Sequence, residues 1–405
     1  MTMKCIELFA GAGGLAMGVG LAGFESCAVV EWDKWACETI RENKKAGYPL
    51  VADWKVCEGD VRNFEWELLG RSIDLVAGGP PCQPFSMGGK HRAHDDGRDM
   101  FPVTVDVVRR LRPKAIIIEN VKGLTRSAFA NYYQYILLQL SFPEVTKQTY
   151  EDWFEHFRRL QSAKASSTSD SHGLTYNVMP TVVNAADYGI PQKRERVFIV
   201  GFRSDLGIKW SFPRATHSLN ALLYDQWVTG SYWKRHRLEV PMMPTQLSNR
   251  VGKLRGSLLP ITTRPWRTVR DALIGLGDPN KTSSKRHSDH RFQSGAKSYA
   301  GHTGSQLDMP AKTLKAGDHG VPGGENMLVN PDGSVRYFTV RESARLQTFP
   351  DGYRLHGSWT ESMRQLGNAV PVMLARTVAA SVAEMLLVSE AHRISAIDLR
   401  HEESA

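Results

Sequence analysis

The chain has 405 residues, 41% of them hydrophobic and 23% charged, which excludes a wholly disordered polymer and suggests two domains or one large domain with an insertion. Mean hydropathy is −0.34, and no apolar run reaches the roughly 18 residues that a membrane span needs. The net charge of +9 is unevenly spread: residues 202–336 hold 20 basic and 10 acidic residues, the remainder 31 and 32. A basic segment beside a neutral remainder points to a polyanion such as nucleic acid, or to a surface tuned for solubility.

Five cysteines (Cys5, Cys27, Cys37, Cys57 and Cys82) crowd the first fifth of the chain. Their number is odd and none forms CxxC, so there is neither a disulfide framework nor zinc spacing, which points inside the cell.

In chain order, residues 4–9 form an apolar run that ends in glycines. A signal-peptide reading of this stretch is weakened by Glu7 and the glycines, and a strand followed by a turn fits better. Residues 27–30 form a second strand ending at Glu31, and Asp33 caps a helix through Lys44. Residues 73–77 are a buried-type strand ending at Gly78-Gly79-Pro80-Pro81. Val103, Val107, Val108 and Leu111 fall at helical spacing, and residues 115–118 are a strand ending at Glu119-Asn120. Residues 162–172 are polar and of low complexity, a loop. Residues 176–184 and 196–202 read as two strands joined by a short turn at 187–191. From 202 to 336 the alternation stops, and the segment, rich in Gly, Pro, Arg and Trp, reads as a separate irregular domain. Thr339 and Glu342 form a capping box for a helix ending near Pro350, and a last helix runs from about Pro371 to Glu390. Strands alternating with helices predict a parallel α/β sheet, whose ligands gather at the carboxyl ends of its strands.

Four of those ends carry chemistry. Phe9-Ala10-Gly11-Ala12-Gly13-Gly14-Leu15 is a glycine loop after a strand, and Glu31 follows Gly11 by 20 residues, the spacing at which a carboxylate meets ribose hydroxyls. Trp32 is placed to stack on a purine and Asp60 to accept from an adenine amino group, which together favour an adenosine-containing cofactor without separating NAD from S-adenosylmethionine. Cys82 lies in GGPPCQPFS, a turn stiffened by proline as a nucleophile requires. Glu119 at the adjacent strand end is placed to approach it. Arg194 and Arg196 alternate in Gln192-Lys193-Arg194-Glu195-Arg196, ahead of the strand at 197–201, and point to one face, toward the same site or simply to a solvated edge.

These residues make the chain resemble the DNA (cytosine-5) methyltransferases. FAGAGG, Glu31-Trp32 and Gly59-Asp60-Val61 are similar to that family's first three motifs, GGPPCQPFS to its catalytic-cysteine motif, Glu119-Asn120-Val121 to ENV, and QKRERVFIVG to its arginine motif. TVRESARLQTFPDGY and QLGNAVPVMLA are similar to its last two, all in the family's order. The resemblance implies a Rossmann-like, S-adenosylmethionine-dependent methyltransferase sheet with a smaller, irregular target-recognition domain. Residues 1–201 plus 358–405 would form the catalytic domain and 202–357 the recognition domain. It further implies methyl transfer to carbon 5 of a flipped-out cytosine in double-stranded DNA through a Cys82 adduct at carbon 6. Glu119 would act at N3, and Arg196, with Arg194, at O2. S-adenosylmethionine would lie on Phe9, Ala10, Gly11, Gly13, Gly14, Leu15, Glu31, Trp32, Asp60, Val61, Asn368 and Ala369. Residues 86–98 would close over the base. The implied partners are double-stranded DNA and, functionally rather than physically, a cognate restriction endonuclease. The implied enzyme is a cytoplasmic monomer with no membrane and no metal. Three other readings stand beside this one: an RNA cytosine methyltransferase, a nicotinamide dehydrogenase that leaves PPCQ, ENV and QKRER unexplained, and a non-catalytic DNA binder.

Overall fold

A computed structural model describes residues 2–69, 73–81, 99–166, 173–281, 287–300, 302–317 and 326–402. The chain divides into two compact units: residues 1–183, 195–213 and 375–405, and residues 184–194 and 214–374. Both are discontinuous. The expected boundaries differ from these, because residues 184–194 and 358–374 belong to the second unit and 202–213 to the first. The hydrogen bonds of Gln192 and Arg194 to residues 314–369 account for the first difference.

The first unit is a seven-stranded sheet in the order β3-β2-β1-β4-β5-β7-β6. Its elements are β1 (Met3–Leu8), α1 (Gly14–Leu21), β2 (Phe24–Glu31), α2 (Lys34–Lys45), β3 (Val56–Glu58), β4 (Leu75–Gly78), α3 (Phe101–Leu111), β5 (Ala115–Val121), α4 (Ala130–Ser141), α5 (Trp153–Ser166), β6 (Tyr176–Asn184) and β7 (Glu195–Arg203). The pairs β1–β2, β1–β4, β2–β3 and β4–β5 are parallel, as alternation with helices requires. β7 departs from that expectation and runs antiparallel to β5. Only a short turn joins β6 to β7, with no crossover helix to return the chain in the parallel sense.

The strands are apolar because both faces are covered. Ile6, Leu8, Val76, Ile116, Ile118, Val197 and Ile199 join Phe101, Val108, Leu111 and Tyr135 in one core. Asp33 caps α2 by accepting from the Ala36 N–H at 2.9 Å. Glu119 and Asn120 lie inside β5 rather than after it, since the strand continues to Val121.

The second unit contains β8 (His217–Ser218), α6 (Leu219–Trp227), α7 (Ser231–Arg235), α8 (Ser248–Arg255), β9 (Arg264–Pro265), α9 (Val269–Leu273), β10 (Ser305–Gln306), β11 (Met327–Val329), β12 (Val335–Tyr337), α10 (Val340–Leu346) and α11 (Trp359–Asn368). Its helices are short, and Leu222, Tyr232, Trp233 and Trp266 hold them together in an aromatic cluster. The capping box of Thr339 and Glu342 forms as expected, but α10 stops at Leu346. The last helix, α12 (Val372–Glu402), is longer than expected. Contrary to the hydropathy reading, residues 359–395 include an 18-residue window of mean hydropathy 1.6. Val378, Ala379 and Val382 of that stretch are fully buried, the mark of a core helix.

Candidate active site

Sheet register brings three expected site segments together. Leu8 pairs with Gly78, and Gly78 with Ile118, so the loop from Phe9, the turn from Gly79 and the side chain of Glu119 share one edge of the sheet. Gly78 is obligatory there, because a Cβ would lie 2.9 Å from the Leu8 carbonyl oxygen. A Cβ on Gly79 would lie 3.4 Å from Glu119 Oε2, so the carboxylate rests over this glycine. Asn120 Nδ2 donates to the Pro80 carbonyl at 2.9 Å and ties the proline turn to β5. That contact was not anticipated from the sequence, where Asn120 carries no signal beyond its place after Glu119. Cys82 and residues 86–98 lie outside the described residues.

The other four cysteines are poorly suited to attack. Burial pushes the Cys37 thiol up to about 12 and raises Cys5, Cys27 and Cys57 as well, and a protonated thiol is not a nucleophile.

Glu119 and Arg196 form a buried ion pair, with Arg196 Nε 2.8 Å from Glu119 Oε1. Glu119 sits opposite Phe198 and Val121 opposite Arg196, so the pair is diagonal on one face of the β5–β7 ladder. Burial lowers the Arg196 guanidinium and the Glu119 charge pulls it back up. Arg194 does not share this face, which corrects the expectation that the two arginines point together. It precedes β7 and is fully buried in the second unit. There it donates to the carbonyls of Leu314 at 2.9 Å, Gly367 at 2.6 Å and Ala369 at 2.9 Å. A guanidinium so engaged is a tie between loops.

The glycine loop is built around Glu31. Its carboxylate accepts from the N–H groups of Gly11 at 2.7 Å and of Trp32 and Asp33 at 2.8 Å. Burial raises its pKa while those three donors lower it. Gly11 and Gly13 have φ of +54° and +85°, and Phe9 also has positive φ, at 56°. A Cβ at Gly11 would meet nothing within 4 Å, so space stands open over the loop. Ala10, Gly13, Gly14 and Leu15 are buried beneath it, while Trp32 beside it is 71% exposed. An exposed indole, an open glycine loop and a fixed carboxylate fit a bound adenosine. Asp60 accepts from the Arg62 backbone N–H at 2.9 Å, and the Arg62 side chain holds its pKa below the usual range. Val61 is buried. In the second unit Asn368 is exposed and ends α11, and Ala369 follows it. Gly367 before them admits no side chain, since a Cβ would lie 2.2 Å from the Ala316 nitrogen.

A buried acid that the sequence reading used only as evidence against a signal peptide also belongs here. Glu7 on β1 accepts from the Ala16 N–H of α1, is 3% exposed, and is held well above the usual carboxylate range by burial, with Glu119 adding to the rise. One charged residue in an otherwise apolar strand was the available signal.

The profile of the C-5 cytosine-specific DNA methylase family matches residues 3–143 and 159–384. The chain belongs to that family. It is a cytosine-5 DNA methyltransferase, and S-adenosylmethionine is its methyl donor. It is 30% identical to the Type II methyltransferase M.NgoMIV of Neisseria gonorrhoeae, over 95% of this chain and 99% of that one. It is 30% identical to M.Eco47II of Escherichia coli, over 94% and 79%. Among solved structures, a putative DNA modification methyltransferase from an E. coli prophage aligns with TM-score 0.59 at 21% identity, over 95% and 99% of the two chains. The Dnmt2 methyltransferase of S. pombe aligns with TM-score 0.52 at 18% identity, over 95% and 98%. These two show the fold, a Rossmann-like sheet.

Proposed function

We propose that the chain is a sequence-specific modification enzyme of the restriction-modification kind, methylating carbon 5 of a flipped-out cytosine in double-stranded DNA. The similarity to Type II methyltransferases over 99% and 79% of their lengths supports that setting, with a cognate endonuclease as functional partner and the cytoplasm as compartment. The observation that carries the chemistry is the Glu119–Arg196 pair resting over Gly79, at the head of the turn that leads to Cys82.

S-adenosylmethionine, when bound, supplies an electrophilic methyl group. Phe9, Ala10, Gly11, Gly13, Gly14, Leu15, Glu31, Trp32, Asp60 and Val61 of the first unit would hold it. The Cys82 thiolate adds to carbon 6 of cytosine, forming a carbon–sulfur bond and making carbon 5 an enamine carbon. The electron pair displaced from the ring is met by a proton at N3, held by Glu119, while Arg196 donates to O2. In the free chain these two side chains neutralise each other. An entering base draws the guanidinium to O2, and the buried Glu119, no longer paired, takes up a proton from solvent and presents it to N3. Carbon 5 would take that methyl group as the donor's sulfur–methyl bond breaks and leaves a thioether. Loss of the carbon 5 proton to water then re-forms the ring double bond, the carbon–sulfur bond breaks, N3 returns its proton to Glu119, and Cys82 is freed as the thiolate. Flipping is needed because neither face of a stacked base admits these groups. In this reading the second unit contains the target-recognition domain.

Expression in a bacterial host lacking cytosine methylation, followed by bisulfite sequencing of its DNA, tests the reading. Protection at cytosines within one short recurrent sequence is expected. Soluble protein without any 5-methylcytosine overturns it.

A further inference from the structure

Several basic residues of the second unit are paired with acids, while others, Arg214, Arg237, Lys253, Arg264 and Arg267 among them, are exposed without an ion pair among the described residues. Arg235 pairs with Asp225, Arg270 with Asp308, Arg336 with Glu342 and Arg345 with Asp351. Such pairs present little net charge to a polyanion. Arg264 and Arg267 are exposed and have no acidic partner among the described residues.

These two arginines converge on one imidazole. β8 and β9 pair in parallel with His217 opposite Arg264. Burial lowers the His217 pKa, and Arg264 and Arg267 both lower it further, so both charges reach the ring. The ring is seated on backbone: a Cβ at Gly189, where φ is +81°, would lie 2.7 Å from His217 Cε1, and Thr216 Oγ1 is 2.8 Å from Nδ1. Trp266, between the arginines, is buried and donates from Nε1 to Asp187 Oδ1 at 2.9 Å. Lys193 Nζ stands 5.6 Å from the Trp266 ring centre, and its pKa is lowered by burial and then by Arg250. The carboxylate on this framework, Asp187, is thus engaged by the indole. Like charges gathered on a rigid support repel one another, and an anion held between them relieves that repulsion.

We propose that Arg264 and Arg267, flanking His217, form a phosphodiester-binding site that grips the DNA backbone and sets the register of the second unit on the duplex. This rests on the reading of the chain as a DNA-acting enzyme. A lost phosphate contact removes about 0.9 from the slope of log K against log salt, which is about 8-fold in affinity at 0.1 M.

The test measures binding of the full chain to duplex DNA from a plasmid it methylates, across salt concentrations. R264Q/R267Q is expected to flatten the slope by about 1.8, and R264K/R267K to restore most of it. R364Q is the control, since Arg364 is already paired with Glu361, and its slope should stay at the wild-type value. A wild-type slope in R264Q/R267Q overturns the site. If that double variant does not fold, R264Q and R267Q singly should each lose about 0.9, and the wild-type slope in both overturns the site equally. Wild-type protein that neither methylates nor binds duplex DNA instead overturns the functional reading beneath it.

Discussion

Arg196 Nε lies 2.8 Å from Glu119 Oε1 across the β5–β7 ladder, both side chains nearly out of solvent. Removing one partner of such a pair leaves an uncompensated buried charge, at about 3–5 kcal/mol. Glu119→Gln keeps the shape but loses the acid and should lower kcat by about 10²- to 10⁴-fold. Both Glu119→Gln and Glu119→Ala leave the Arg196 charge uncompensated and should melt lower, Glu119→Gln the less of the two because its amide oxygen can still accept a hydrogen bond. Tritium transfer to DNA and thermal melts separate the two effects. Undiminished kcat in Glu119→Gln would remove the carboxyl from the chemistry.

Trp32 is exposed, so it contributes little to folding, and Trp32→Ala should change stability by less than about 0.5 kcal/mol. Stacking of a base on an aromatic ring contributes about 1–3 kcal/mol, so the Kd for S-adenosylmethionine should rise about 5- to 100-fold. Glu31→Ala should weaken the same binding and lower Tm, because three N–H groups lose their acceptor. Calorimetric titration checks both. An unchanged Kd in Trp32→Ala would move the adenine elsewhere.

Much of this site was legible because it is local. The Gly11–Glu31 spacing spans one strand–helix–strand unit, and the end of an apolar run marks Glu119. The fate of Arg194 was not legible, because its acceptors lie 120 to 175 residues away. Alternation predicts that Arg194 and Arg196 share a face, but outside the strand the chain turns Arg194 toward those carbonyls instead. The helices of 202–336 were missed for a similar reason. They are short, and the Tyr232–Trp233–Trp266 cluster stabilises them more than any periodicity of their own. The antiparallel course of β7 was masked by the regular alternation that precedes it.

Gly367 and Arg194 form one unit of packing. In Gly367→Ala the new methyl would meet Ala316 backbone atoms at 2.2 and 2.5 Å, which nearby side chains cannot relieve. A loss of at least about 3 kcal/mol is expected in urea unfolding. Arg194→Met strands the Leu314, Gly367 and Ala369 carbonyls and should cost about as much. Because both changes loosen the same strap, the double variant should lose less than the sum. Additive losses would show the two residues to be independent.

Glu7 supplies a pH signature. Its folded pKa lies well above the unfolded value of about 4.3, chiefly through burial, so between those two values the folded state binds the extra proton. Stability contributed by the protonated acid is therefore full below about pH 4.3 and is lost as pH rises toward the folded pKa, at up to about 1.4 kcal/mol per pH unit. Glu7→Gln stays neutral and can still accept from the Ala16 N–H. The variant should melt higher than the wild type at pH 8, and its advantage should shrink as pH falls to 5. Thermal melts of both proteins between pH 5 and 8 read this difference directly, and other titrating groups cancel in the comparison. A difference that is flat with pH, or that grows toward acid, would mean that Glu7 carries its charge in the folded protein.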